Sequence, residues 1–224
     1  MRRALSPRTG VRWLGLLLLA GVLSGCQSTY YSAMEKFGVH KRDILVDRVG
    51  DARDAQEEAK EQFKSALERF SAVLGFKGGD LQEKYEQLNT EFERSDSRAS
   101  EVSDRIAAVE DVSEALFEEW EDELDQYTSA SLRRSSQRQL TETKRQYAQL
   151  IKAMKRAESK IKPVLNAFRD QVLYLKHNLN ARAIASLKGE LKGVESNVAV
   201  LIRDMERSIR EANRFIDSMN RAAS

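Results

Sequence analysis

LTETKRQYAQLIKAMKRAESKIKPVLNAFRDQVLYL, residues 140–175, carries an apolar or aromatic side chain at every seventh position: Leu140, Tyr147, Met154, Ile161, Phe168 and Leu175. Seven residues are close to two turns of an α-helix, so a strict repeat of seven keeps one stripe of the surface against a partner helix. Pro163 lies inside the repeat and is expected to kink the helix, because a proline removes one backbone hydrogen bond and crowds the preceding turn.

The same pattern extends in both directions. Upstream, Leu45, Ala52, Ala59, Ala66 and Val73 repeat every seven residues, with Val49, Phe63 and Phe70 four places on and Gln56 as the polar exception in that second row. The alanines point to close approach of a neighbour. Gly75, Gly78 and Gly79 end that segment, and Asp80 opens the next as an N-cap, with Glu83 completing a capping-box pattern. Leu81, Tyr85, Leu88, Phe92, Ser95, Ala99, Val102, Ile106, Val109, Ser113, Leu116 and Trp120 then form a second seam. Residues 128–131 interrupt it. A third turn over 177–180 leads to Ile184, Leu191, Val198, Met205, Ala212 and Met219. Four helices are expected, the first over about 37–74. The second and third, of about 45 residues, are roughly 70 Å long at 1.5 Å per residue, and the first and fourth are nearer 40 residues.

The fold class that follows is all-α: an extended antiparallel bundle of about four long, coiled-coil-like helices, joined by short turns in up-down-up-down order. A single long coiled coil that dimerises is the competitor, and three interruptions at similar spacing argue against it. Composition agrees: 32% of residues are charged, 7% are aromatic, and Pro163 is the only proline after Pro7. No run of alternating polarity argues for a strand. Charge selects one neighbour relation. Residues 80–128 hold 17 acidic and 4 basic groups, a balance of −13, whereas 129–182 hold 13 basic and 3 acidic, a balance of +10. A hairpin of the second and third helices would set these faces together; the alternative is that the third helix meets an anionic surface such as lipid head groups.

Ahead of the helices, Arg2, Arg3, Arg8 and Arg12 precede an apolar run over 13–23, which ends in Leu23-Ser24-Gly25-Cys26. A basic n-region, an h-region short for a bilayer span and small residues at its end read as a secretory signal. The four terminal residues resemble the bacterial lipobox, in which the cysteine takes a diacylglyceryl group and the signal is cut just before it. The resemblance implies a signal peptide over 1–25, lipidation of Cys26 with Leu23, Ser24 and Gly25 as the recognition sequence, a spacer over 26–36 and the helical domain over 37–224. Gln27, where an aspartate would favour inner-membrane retention, implies the periplasmic face of the outer membrane. The four basic groups of the signal turn a net charge of +2 into −2 for the remainder. The basic balance is therefore no sign of nucleic acid. Cys26 is the only cysteine, so no disulfide is expected.

Chemical constellations are not expected. Phe37 and Tyr174 stand three residues before His40 and His177, where the Glu-x-x-His ligand pairs of di-iron bundles need acids. Without a second cysteine there is no zinc set. Gly75-Phe76-Lys77-Gly78-Gly79 lacks the Gly-Lys-Ser/Thr of a phosphate loop and suits a turn. Gly189 and Gly193 read either as a point of close helix approach or as local looseness. Glu118, Glu119, Glu121, Asp122, Glu123 and Asp125 surround Trp120; this run reads as a solvated face around a core side chain, with cation binding as the minor alternative. Neither catalytic, metal nor cofactor-binding residues are assigned.

Taken together, the lipobox and four heptad helices resemble an uncharacterised family of proteobacterial lipoproteins. The resemblance implies location and fold and adds no site residues. The expectation is a non-enzymatic envelope lipoprotein with a structural or docking role, held to the membrane by lipid and meeting an envelope protein partner. The alternative is a membrane-active or lipid-surface-binding bundle, against which no segment after the signal has some 20 uncharged apolar residues.

Overall fold

The computed structural model describes residues 40–75 and 80–222. The chain divides into two compact units, Met1–Ile44 and Leu45–Ser224, and the packing below is that of the second. The expected signal over 1–25, the spacer over 26–36, residues 37–39 and the glycines Gly78 and Gly79 lie outside the described residues. Those described form four helices and no strand: α1 (Lys41–Leu74), α2 (Leu81–Leu124), α3 (Ala130–His177) and α4 (Ala181–Arg221). The all-α bundle expected from the repeats is the observed fold.

Each turn is closed by a polar side chain that satisfies an amide the next helix leaves without an internal partner. Asp80 accepts from the Gln82 amide at 2.8 Å, Ser129 from Leu132 at 3.4 Å and Asn180 from Ala183 at 3.0 Å. The expected capping box at Asp80 is not built: the cap reaches residue 82, and Glu83 accepts from Gln87 at 2.9 Å instead. α2 also ends at Leu124, short of the expected turn at 128. Its last turn holds acidic groups and no basic one, which opposes the negative end of the helix dipole. Ser131, expected in the turn, is already helical. α3 runs through Pro163, which is exposed, so the carbonyl left without its amide is that of the exposed Ser159.

Side-chain pairs fix each neighbour as antiparallel. Glu58 meets Arg98 while Arg69 meets Glu91 across α1 and α2. Glu121 meets Lys144 and Glu110 meets Lys155 across α2 and α3. Arg156 meets Asp204 and Gln146 meets Ser218 across α3 and α4. Arg53 donates to Asn213 at 3.2 Å, which brings α4 beside α1 and closes the ring.

Most positions of the repeats point inward, while Leu81, Tyr85, Phe92, Trp120, Tyr147 and Leu191 are half-buried. Leu45, Ala52, Ala59, Ala66 and Val73 of α1 are all buried, as are Met154, Ile161, Phe168 and Leu175 of α3 and Val198, Met205, Ala212 and Met219 of α4. At one level Phe168 stacks on Phe70 at 4.6 Å and on Phe63 at 6.3 Å, tying α3 to α1 through the core. Where α1 carries alanine, the seam has no bulk and a neighbour can come close. Gly189 and Gly193 play no such part, because a Cβ at either would meet open space.

Polar residues interrupt the seam of several helices. Gln56 and Ser208 are fully buried and their side-chain N and O atoms have no hydrogen-bond partner. The Arg53–Asn213 contact sets Gln56 level with residue 210, so the two orphaned groups share one stretch of the α1–α4 contact. An unmade buried hydrogen bond costs roughly 1–3 kcal/mol, while an apolar replacement of similar shape removes that cost. Gln56→Leu should therefore raise the denaturant midpoint, by the equivalent of about 1 kcal/mol or more. A lowered midpoint would show that the amide is hydrogen-bonded in solution, by an internal water for example.

Candidate functional site

Three places drew functional readings from the sequence, and the structure treats them differently. Leu23, Ser24, Gly25 and Cys26 lie outside the described residues. His40 and His177 are both exposed at helix ends. Among the described residues no group of three or more His, Cys, Asp or Glu side chains is placed to hold a metal ion.

The acidic run on α2 is the place where the structure adds most. Here α2 and α3 turn back on each other, and the charges expected to pair do so. Asp125 meets Arg133 at 2.5 Å, Glu121 meets Lys144 at 2.6 Å and Glu110 meets Lys155 at 2.7 Å. In all three the acid belongs to the α2 side and the base to α3. Glu118, Asp122 and Glu123 remain exposed on the outside of the hairpin. Trp120 is half-buried, and its indole N–H donates to the Ser136 hydroxyl at 2.8 Å. Its ring thus serves as part of the hairpin contact, intermediate between core and surface. Lys144 also sits 5.3 Å from the centre of the Phe117 ring, which packs edge-on against Tyr147 at 5.4 Å.

The large apolar side chains left exposed are not scattered. Among the described residues they are Tyr127 and Leu132 at the α2–α3 turn, and Leu173, Tyr174 and Leu179 at the α3–α4 turn. Both ends of α3 therefore present apolar surface next to charge, a combination suited to contact with another molecule. The sequence reading missed these residues; Leu132, Leu173, Tyr174 and Leu179 are off the heptad seam, which is the signal that would have found them, whereas Tyr127 continues the row from Tyr85 to Trp120 beyond the end of α2.

Two groups along the α2–α3 contact hold their protons more tightly than usual. Lys155 is raised chiefly by its hydrogen bond to Glu110, against the cost of burial, with Glu158 adding to it. The half-buried Tyr147 phenol is pushed up by burial, which the hydrogen bond to Ser113 opposes. Because both folded values lie above the unfolded ones, their contribution is whole below about pH 10 and is lost as pH rises through the folded values. Chemical denaturation should give a midpoint that holds to about pH 9.5 and falls above pH 10, with a shallower fall in Tyr147→Phe. A profile that is level through pH 11, or identical in the variant, would contradict the assignment.

A family model described as "Protein of unknown function (DUF2959)" matches residues 30–219. The match takes in all four helices and begins past Cys26. No curated protein and no solved structure matches the chain.

Proposed function

The chain belongs to the DUF2959 family of proteins of unknown function, and from that premise we propose that it is a lipid-anchored helical lipoprotein of the bacterial outer membrane. It faces the periplasm and serves a non-enzymatic structural or docking role. The observation that carries the proposal is Leu23-Ser24-Gly25-Cys26 at the end of a basic-then-apolar leader. A thioether-linked diacylglyceryl group on Cys26, joined by a third chain on the new amino terminus, gives durable attachment, since each buried methylene contributes about 0.8 kcal/mol. Gln27 favours the outer membrane over retention in the inner one.

The helices complement an anchor of this kind. Among the described residues no helix is long and apolar enough to cross a membrane. Their apolar stripes are spent on one another, and among the described residues the large apolar side chains left exposed lie at the two ends of α3. A docking role uses those ends. The α2–α3 turn offers Tyr127 and Leu132 beside Glu118, Asp122 and Glu123, a face that fits an envelope protein with basic and apolar groups.

Replacing the thiol tests the anchor. Cys26→Ser should abolish labelling by a clickable fatty acid and release the protein from membranes. Gln27→Asp should leave labelling intact and move the protein from outer- to inner-membrane fractions. Labelling that persists in Cys26→Ser would remove the anchor and, with it, the proposed location.

A further inference from the structure

α2 and α4 occupy opposite corners of the bundle, since each pairs with α1 and with α3. They run in the same direction, and their solvent sides point away from each other. Each of those sides carries a row of like charge at intervals of seven residues, about 10 Å of helix. On α2 the row is Asp104, Asp111 and Glu118; on α4 it is Arg207, Arg214 and Arg221. All six side chains are exposed. Among the described residues Arg214 meets Glu211 of its own helix at 2.8 Å, and the other five have no partner. Every described lysine and arginine of α1 and α2 is already engaged, so the cations left open belong to α3 and α4.

The two rows stand at the same height. By way of α3, Glu110–Lys155 and then Arg156–Asp204 put residue 110 level with about residue 205. By way of α1, Arg105–Asp51 and then Arg53–Asn213 put residue 105 level with about residue 215. A residue of α2 is therefore level with the α4 residue about 95 to 110 positions later. Each arginine of the row stands 103 positions after its acidic counterpart, inside that interval. Consider a copy displaced sideways along the α2–α4 diagonal, with no rotation and no change of height. It sets Asp104 opposite Arg207, Asp111 opposite Arg214 and Glu118 opposite Arg221. The adjoining row sets Glu114 opposite Asp217, one repulsive meeting against three attractive ones.

We propose that the chain associates with further copies of itself side by side, the acidic row of α2 on one copy seated against the basic row of α4 on the next. The contact joins two different faces. Each copy therefore keeps an unused row on either side, and the assembly extends as a file instead of closing as a dimer. Exposed ion pairs are individually weak and are screened by salt. Association is accordingly modest in dilute solution and grows where copies are confined and aligned on one surface. The charge match does not need the lipid on Cys26; the shared orientation of the copies rests on the proposed anchor.

Disulfide trapping of the full-length chain tests this, in vesicles of neutral phosphatidylcholine so that lipid charge plays no part. Chains carrying Ser100→Cys are mixed with chains carrying Arg203→Cys, both positions being exposed and outside the three pairs. Oxidation at about 20 mM salt should link the two kinds of chain, and about 0.5 M salt should suppress the link. These positions meet only when neighbours share an orientation. Asp104→Lys/Asp111→Lys/Glu118→Lys in the first chain should cut the yield roughly fivefold or more. Adding Arg207→Glu/Arg214→Glu/Arg221→Glu to the second chain should restore it. Restoration is the decisive reading, because a folding defect in one chain is not repaired by a change in another. A yield from the mixture no greater than from either chain alone, or one indifferent to the reversals, would overturn the proposal. So would alkylation of Arg203→Cys that is slowed by phosphatidylglycerol vesicles and not by added chain, which would give the basic row to lipid phosphates. Protein that does not float with the vesicles would refute the anchor alone. The same trapping is then read in solution at about 1 mM chain, in a Cys26→Ser background, with the same criteria.

Discussion

Phe168 stacked on Phe70 and Phe63 shows the constraint under which this fold is built. Every helix carries a narrow apolar stripe that it cannot cover by itself, and the four stripes face inward on one another. α1 alternates bulky with small positions, with Ala52, Ala59 and Ala66 completely buried. Its grip therefore depends on the close approach that alanine allows and on its few large side chains, Leu45, Phe63 and Phe70. Removing a buried phenylalanine costs about 3–5 kcal/mol, a large share of the stability of a domain this size. The turns, caps and ion pairs then choose among arrangements that burial already favours.

Charge makes that choice in one place above all. A surface ion pair is worth at most about 1 kcal/mol, so Asp125–Arg133, Glu121–Lys144 and Glu110–Lys155 do not hold α2 to α3 by themselves. They make the correct neighbour cheaper than the wrong one. Against an antiparallel α3, the acidic surplus of α2 is neutralised; against a second copy of itself in parallel, it repels. The orphaned Gln56, Ser208 and Gln171 work in the other direction. Each lowers stability at a seam position that an apolar residue could fill.

Most of the architecture was legible because a period of seven is a geometric statement about which side chains share a face. The three turns, the order of helices and the α2–α3 charge match followed from it, and Met154, Ile161, Phe168 and Leu175 are all buried as expected. What the period misses is local or three-dimensional. Tyr147 and Trp120 occupy seam positions yet stay half-buried, because each keeps a polar tip for a hydroxyl, Ser113 and Ser136 respectively. α2 ends before the turn residues announce it, in a last turn that holds acidic groups and no basic one. The buried Glu91 is stabilised by Arg69, Arg94 and Gln62, two of them on another helix, and no spacing announces that. Gln171 could have been found: Leu150, Ala157 and Val164 form a second row of seven that it interrupts, as Gln56 interrupts the row of Val49, Phe63 and Phe70. A polar residue inside a seam is a sequence signal, whereas whether its side chain finds a partner needs the fold.

The central claim is that the opposite charges of α2 and α3 fold back on each other within one chain, and a single distance tests it. Spin labels at Ser103 and Lys152 sit on the two helices about ten residues, or roughly 15 Å, apart in level, given the Glu110–Lys155 pairing. Neighbouring helix axes lie about 10 Å apart, so electron-electron resonance should report a separation of roughly 15–30 Å with label arms included. It should be unchanged when labelled protein is diluted with an excess of unlabelled chain. A distance near the roughly 65 Å length of a 44-residue helix, or one that disappears on dilution, would contradict the hairpin and replace it with a coiled coil between chains.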